Sequence, residues 1–489
     1  MRNIVSLFMY FFFFILFVGC GKKNTIESLP SEKVSLFTST NKDIEKSYLW
    51  ARNMAFSYVH DDSDPVGYWY EAALPQREAF CMRDVSHQCI GAHILGLQLH
   101  NKNMMRRFVE NISESRDWCS FWEINRYNKP APVDYKNDNE FWYNLNANFD
   151  VMQACIRLYD WTSDKEYLQD NSFTSFYNHT VNDYVERWQL SADKIMQRPK
   201  IMNASSDFDP KNAFHTCRGL ASYVENFSGL CVGVDLVSTI YAGYSSLSSA
   251  FRHLNNDSLS EYYKSEAEKY RSLLDEKWWN EELDCYNTFW TESKEFHRGE
   301  GVPHILWFNA TENPLRIKAS VDDILSRDWN VENMSAFPMI FYRLGYKDYA
   351  LKYLTELPSM PRSEYPEVSF GIIEGVTSGL MGLVPSALNN EISTMSSLPD
   401  NSTEAFIENV PVFDGYVSLL HKGYHLSELH NNTGKSVMWN VAFIGDYSYI
   451  KIDGKILRCS KRTNIFGDVI SSVKILLPHD KKSIAEAIV

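Results

Sequence analysis

The feature that most constrains the fold is the spacing of apolar residues between Lys42 and about Pro385. Here they recur with the period of an α-helix, in amphipathic stretches at 43–60, 83–99, 146–162, 235–254, 259–279 and 332–357. Several stretches come in pairs, and an Asn-Asn-Asp turn at 255–257 predicts that two of them are antiparallel neighbours. Recurrent helical hairpins over such a length are compatible with a closed toroid of helix pairs.

After Pro385 the pattern changes to short alternating runs, such as 415–420, 436–441 and 449–452, separated by Asn-Asn and Asp-Gly turns. A region of this kind suits a small antiparallel β-domain packed on the helices. We therefore predict a mainly α chain. Its helical catalytic domain would span 42–388 and its C-terminal β-sandwich-like domain 389–489.

The N-terminus indicates export. Arg2 precedes an apolar run, 4–18, which is shorter than the roughly 20 residues of a membrane-spanning helix and predicts a signal peptide at 1–19. The run ends in Val18-Gly19-Cys20, which resembles a bacterial lipobox. This resemblance implies lipid attachment at Cys20, a lipidated tether at 20–41, and a location at the cell envelope, held to a lipid bilayer.

Charge and cysteine usage exclude several classes of partner. The formal net charge is −14 with no long basic run, so a nucleic acid backbone would be repelled and is not expected as a partner. The eight cysteines after Cys20 are scattered without a Cys-x-x-Cys cluster, and no calcium-loop motif is present. We therefore expect no metal and no cofactor. The cysteines are predicted to be buried thiols, although one or two disulfides are an alternative in an exported chain.

Five charged side chains and His87 crowd the segment 71–88, where a predicted helix begins. Arg77 and Arg83 can orient the carboxylates of Glu78 and Asp84, and apolar neighbours could raise the pKa of one of them, as a general acid requires. A structural network of ion pairs at the start of a helix is the equally simple alternative.

A second carboxylate-rich segment, 362–375, contains Glu364, Glu367 and Glu374 and precedes the end of the helical region. Two distant segments that meet across the mouth of a toroid could supply the two carboxylates of a glycosidase. The alternative is that Glu364 and Glu374 cap a helix or lie on the surface.

Two loops combine hydrogen-bonding and aromatic groups, as sugar-binding surfaces do. One carries Asp138, Glu140 and Trp142, and the other carries His215, Arg218 and Glu225. The first loop could also be an aromatic cluster packed under the surface.

The run Pro75-Gln76-Arg77-Glu78 followed by Arg83-Asp84 resembles a motif of the six-hairpin glycosidases, nearest to glycoside hydrolase family 78, the α-L-rhamnosidases. This resemblance implies an (α/α)6 toroid of helical hairpins. It also implies that Glu78 is the general acid, with Asp84 and Arg77 as sugar or proton-transfer partners. Because the base of that superfamily lies late in the toroid, Glu367 is the expected base, with Glu364 and Glu374 as reserves.

The predicted function is therefore hydrolysis of a glycosidic bond in a plant, algal or host saccharide by two carboxylates. An inverting mechanism, in which they lie about 6.5–9.5 Å apart, is favoured, and the resemblance implies an activity like that of an α-L-rhamnosidase. Two alternatives stay open. A polysaccharide lyase or unsaturated uronyl hydrolase would use groups such as His87, His215 and Arg218. A catalytically inert lipoprotein would bind glycans with its aromatic residues.

Overall fold

The structure is a computed structural model that describes residues 34–74, 76–204, 206–225 and 227–488. The predicted signal peptide and Cys20 lie outside the described residues. Sixteen α-helices lie in the described part of the chain: α1 (Lys42–Ser57), α2 (Met82–Ile94), α3 (Gln98–Glu110), α4 (Ala147–Thr162), α5 (Glu166–Gln169), α6 (Asn171–His179), α7 (Val185–Arg187), α8 (Ala213–Thr216), α9 (Val234–His253), α10 (Asp257–Leu273), α11 (Val302–Trp307), α12 (Pro314–Leu325), α13 (Val331–Ser335), α14 (Phe337–Leu344), α15 (Lys347–Glu356) and α16 (Pro366–Glu374).

Six helices form a closed ring. Each of α2, α4, α9, α11, α14 and α16 contacts the next, and α16 returns to contact α2. Other helices pack outside this ring: α3 on α2, α10 on α9, α12 on α11, α15 on α14 and α1 on α16. The predicted helical pair on either side of the Asn-Asn-Asp turn is present as α9 and α10. In this turn Asn255 adopts a positive φ, and the side chain of Asn256 caps α10.

The helix expected over 332–357 is instead three short helices, α13, α14 and α15. Pro338 lies in the first turn of α14, where its missing N–H costs nothing, and Gly345 ends that helix with a φ of 90°. These two residues divide what the apolar pattern alone presents as one continuous helix.

Short strands form small sheets in the loops of the helical region: β2 (Val59–His60), β3 (Trp69–Tyr70), β4 (Ala79–Cys81), β5 (Glu123–Asn125), β6 (Tyr135–Asn137), β7 (Glu140–Phe141), β8 (Tyr143–Asn144), β9 (Arg218–Leu220), β10 (Leu230–Gly233), β11 (Trp279–Asn280), β12 (Cys285–Tyr286), β13 (Phe289–Thr291) and β14 (Phe296–His297). They pair as β2 with β3, β4 with β5, β6 with β7, β8 with β9, β11 with β12, and β10-β13-β14. The pairings tie parts of the long loops to one another.

The C-terminal strands are β15 (Val384–Ser386), β16 (Glu391–Met395), β17 (Glu404–Val412), β18 (Gly415–Lys422), β19 (Leu426–Asn432), β20 (Val437–Ile444), β21 (Tyr449–Ile452), β22 (Lys455–Arg458), β23 (Ser460–Thr463), β24 (Val469–Leu477) and β25 (Lys481–Ile488). They form a five-stranded sheet, β15-β16-β20-β24-β23. Together with β1 (Leu36–Ser39) they also form a seven-stranded sheet, β1-β17-β18-β19-β25-β21-β22. Alternating burial, as in β18 and β19, places one face of each strand in the core.

Three details of this region correct the expectations. The strands begin at Val384, before the expected boundary at 389. The sheet is not wholly antiparallel, because β16 and β20 pair in parallel, with Ile392 opposite Trp439. The segment 36–39, expected to be part of a tether, is the strand β1 (Leu36–Ser39), and its Leu36 lies opposite Glu408 of β17.

The eight cysteines of the described residues are free thiols, and all except Cys459 are buried. None of the helices in the described ranges is both long enough and apolar enough to span a bilayer.

Candidate active site

The N-terminal ends of α2, α9, α11, α13 and α16 converge on a cavity at one end of the ring. It consists of a wide outer chamber of about 810 Å³ and a narrow inner chamber of about 100 Å³. The two chambers share part of their walls, and the residues that line both are Arg83, Tyr223, Val224, Glu300, Asn330 and Glu332. Helix N-termini place their positive dipole ends toward this cavity, which favours the many carboxylates that line it.

Close packing of α2 against α16 brings two of the predicted carboxylates together. A Cβ on Gly91 of α2 would lie 2.2 Å from the carbonyl oxygen of Phe370 on α16, so only glycine allows this approach. As a result, the first turns of the two helices meet, and the Asp84 and Glu367 carboxyls lie within hydrogen-bonding distance of each other.

Arg83 stabilises this carboxyl pair. Its Nε donates to Asp84 Oδ1 at 3.0 Å, and its guanidinium lies over the Tyr223 ring, 5.5 Å from the centroid. Burial, followed by the negative charge of Asp84, raises the pKa of Glu367 well above its ordinary value, while Arg83 opposes the rise. The protonated form of Glu367 is therefore favoured beside the Asp84 carboxylate.

Glu225 lines the outer chamber, and no described side chain or backbone group forms a hydrogen bond or ion pair with its carboxyl. Its side chain is exposed at the chamber surface, yet partial desolvation by the surrounding wall raises its pKa, and Arg83 opposes this rise too. A carboxyl with a raised pKa and an unoccupied face toward a large cavity has the properties of a proton donor to a ligand. The sequence shows Glu225 in a polar loop, but no motif gives it a role.

The loop that carries Glu225 is fixed by Asp235, at the start of α9. Asp235 accepts hydrogen bonds from the Tyr223 backbone N–H at 2.7 Å, Ser222 Oγ at 2.8 Å and Asn146 Nδ2 at 3.1 Å. Burial raises the pKa of Asp235 to about 6. Its oxygens are committed to the loop, so Asp235 positions its neighbours.

A second carboxyl pair, Glu123 and Asp134, lies in the wall of the outer chamber beside Trp122 and Trp142. Burial and the neighbouring Asp134 raise the pKa of Glu123 to about 8. Arg77 donates to Glu123 Oε2 at 2.7 Å. The sequence predicts Arg77 and Trp142 at the site, but it does not reveal that Glu123 and Asp134 belong there.

Of the other predicted residues, His87 and Glu374 line the inner chamber. His87 Nε2 lies 3.5 Å from Asp150 Oδ1, and Glu374 is paired with Arg157. Glu374 is therefore a buried ion-pair partner at the inner end of the cavity.

Glu78 does not line either chamber. Its side chain is 51% exposed and its carboxylate bonds Arg126 Nη1 at 2.5 Å. Gln76 and Glu78 both have positive φ, so the chain turns sharply here and directs Glu78 away from the cavity. Glu364 is also exposed and outside the cavity lining.

Four predicted sugar-binding residues lie outside the cavity lining as well. Asp138 bonds Arg116 at 2.9 Å, and Glu140 accepts from Asn212 at 2.8 Å, with His215 Nε2 3.7 Å away. Arg218 pairs with Asp117 and donates to the Asn203 carbonyl. These contacts hold loops together.

Comparison with known proteins identifies related folds. Residues 126–328, less than half of the chain, match the family model of trehalase. An alpha-L-rhamnosidase from Dictyoglumus thermophilum matches with a TM-score of 0.57 at 14% identity, over 93% of this chain and 50% of that chain. A family 78 rhamnosidase from Bacillus sp. GL1 gives 0.57 at 9% identity, over 82% and 41%.

A third structure, described as a candidate kojibiose phosphorylase from the human microbiome, has a TM-score of 0.53 at 9% identity, over 91% of this chain and 63% of that chain. This chain therefore spans half or less of the two rhamnosidases. No curated protein sequence matches it. At these identities the likeness shows a shared fold.

Proposed function

We propose that this chain, which has the fold of the six-hairpin glycosidases, is a glycoside hydrolase that uses Glu225 as general acid and Glu367 as general base. The closed ring of six helices with a second layer outside it is the arrangement expected of an (α/α)6 toroid. The observation that carries the proposal is the cavity, where two carboxyls of raised pKa come from separate elements and both lie near Arg83.

In this mechanism the sugar occupies the outer chamber with its anomeric carbon toward the junction of the two chambers. Glu225 gives its proton to the leaving oxygen as the glycosidic bond breaks. Glu367, once ionised, takes a proton from water as the water oxygen bonds the anomeric carbon. We propose inversion, in which the two groups act on opposite faces of the sugar ring.

The charge of the cavity favours hydrolysis of an uncharged sugar. It disfavours two reactions that need an anion in the site, cleavage of a uronate by a lyase and transfer to phosphate by a phosphorylase. Among the described residues that line the cavity, each arginine lies beside a carboxylate: Arg77 beside Glu123, Arg83 beside Asp84, and Arg362 3.4 Å from Glu332. A uronate, as in a lyase, or a phosphate, as in a phosphorylase, would find no unpaired guanidinium and several like charges.

We propose uncharged α-glycosides as substrates. α-L-Rhamnosides come first, because two structural neighbours are described as rhamnosidases. Trehalose comes second, because the trehalase model matches the segment that contains Glu225.

The test is hydrolysis of these substrates and a wider glycoside panel, followed by product chromatography. Glu225→Gln and Glu367→Gln should each lower kcat about 10²- to 10⁴-fold. An activated aryl leaving group should restore only the Glu225 variant. Glu78→Gln is the matched control and should keep the parent rate. Parent rates in both cavity variants, or binding without any hydrolysis by the parent, would overturn the proposal.

We further propose that the chain is exported and anchored at the cell envelope by lipid on Cys20. The Cys20→Ser variant should leave the detergent-rich phase in a partition experiment, since acyl chains supply the membrane affinity. Unchanged partitioning of that variant would refute lipid attachment.

A further inference from the structure

The inner chamber extends along the helices beyond the level of Glu367. On α16, Glu367, Gly371 and Glu374 share one face and line it in succession, while His87 and Gln88 of α2 face them. The chamber is much smaller than the outer one, about 100 Å³ against about 810 Å³. Since the proposed mechanism seats the sugar in the outer chamber, the inner chamber lies beyond the sugar.

The wall of this chamber carries polar atoms that lack hydrogen-bond partners among the described residues. They are Nε2 and Oε1 of Gln88, Nε2 of His87, Nδ1 of His304 and Nε1 of Trp307. Gln88 is only 2% exposed, so its amide cannot reach bulk solvent. Buried polar atoms of this kind require partners, because leaving them unpaired is costly.

We propose that the inner chamber holds a resident cluster of water molecules, and that Glu367 draws the attacking water from it. A buried water needs roughly 10–15 Å³ of free space and two to four polar partners, and the chamber offers space for several. Gln88 can both donate and accept, and Trp307 can donate. Burial lowers the pKa of His304 to about 3, so this ring is neutral and keeps one accepting nitrogen.

This inference rests on the proposed function and adds the route by which water, the second substrate of hydrolysis, reaches the sugar. A sugar in the outer chamber blocks the approach of water from the mouth. Water from the inner chamber reaches the anomeric carbon from the side of Glu367. Its oxygen forms the new bond and its proton passes to Glu367, while the leaving oxygen departs with the proton of Glu225.

The test is the Gln88→Met variant, which keeps the side-chain volume nearly constant and removes both hydrogen-bonding atoms. We expect kcat to fall about tenfold, the equivalent of one hydrogen bond in the transition state. KM should stay within about twofold, because the residue does not contact the sugar. Gln169→Met, an exposed glutamine of α5, is the matched control. Trp307→Phe removes a single donor and should give a smaller loss.

High-resolution crystal structures of the parent and of Gln88→Met supply a second readout. The parent should show ordered waters bonded to Gln88, Trp307 and His304, and the variant should show fewer. A dry chamber in the parent, a sugar ring seated beside Gln88 in a product complex, or an unchanged kcat in Gln88→Met would overturn the inference. If Gln88→Met keeps its kcat while Glu225→Gln and Glu367→Gln lose theirs, the proposed water cluster is wrong and the proposed hydrolase function stands.

Discussion

The cavity contains two carboxyl pairs of similar composition and different construction. Asp84 and Glu367 come from the first turns of two helices far apart in the chain, whereas Glu123 and Asp134 lie close together in sequence within one loop region. Each pair has an arginine, Arg83 or Arg77. Burial raises the pKa of one member of each pair, Glu367 in the first and Glu123 in the second.

The difference lies in what surrounds each pair. Glu367 opens onto the inner chamber, where a water can reach it. Glu123 belongs to β5, and its backbone carbonyl accepts from Ala131, while the Asp134 carbonyl accepts from the Trp142 N–H. The first pair is therefore placed to exchange a proton during a reaction. The second holds the aromatic wall of the outer chamber in position, which makes it a structural pair.

The largest expected effect is on the pH dependence of kcat/KM, which should change when the Asp84–Glu367 pair is altered and not when the Glu123–Asp134 pair is. Asp84→Asn removes the negative charge that raises the pKa of Glu367, so the acidic limb of kcat/KM should move to lower pH, in addition to any loss of rate. Glu332→Gln should move it in the same direction by less, because Glu332 is a weaker cause of the rise. Glu123→Gln should leave the limb in place.

Measurement of kcat/KM against pH for the three variants decides the matter. If the alkaline limb moves in Asp84→Asn, Glu367 is the proton donor and the proposed roles are reversed. If neither limb moves, the Asp84–Glu367 pair does not take part in the rate-limiting chemistry.

A smaller effect is expected on stability. Glu123 has a folded-state pKa of about 8, above its ordinary value of 4.5, so folding favours the protonated form. Its contribution is fully present below the unfolded pKa and declines as pH rises from there to about 8. Glu123→Gln mimics the protonated carboxyl and escapes this loss. The Tm of the variant should therefore improve relative to the parent between pH 5 and pH 9.

Thermal unfolding of both proteins across this range provides the measurement, with Glu78→Gln as the exposed control. A constant Tm difference between Glu123→Gln and the parent would show that Glu123 is ionised throughout, contrary to the buried pair described above.

The sequence predicts the fold well because its main signals are periodic. Helical spacing before Pro385 and alternation after it correspond to the helical ring and the two sheets. The strand β1 could not be predicted, because it is four residues long and pairs with a partner near the other end of the chain. A local pattern carries no information on such a contact.

The candidate site was predicted in part. Arg83, Asp84 and Glu367 lie at helix starts, where periodicity fixes which face they occupy, and the structure places all three at the cavity. Glu78 was predicted at the site but lies outside the cavity lining. The positive φ of Gln76 and Glu78 turns the chain there, and nothing in the residue types reveals that turn. Glu225 depends on loop contacts with Asp235, which the sequence does not display.

The pairing of β1 with β17 also affects how the chain folds during synthesis. Ser39 Oγ donates to the Glu404 carbonyl across 365 residues of sequence, so β1 cannot pair until β17 has been synthesised. Contacts of such high order form late and slow folding. We expect a long-lived intermediate with helical hairpins formed and the ring open, a species that exposes apolar surface and depends on protection from aggregation.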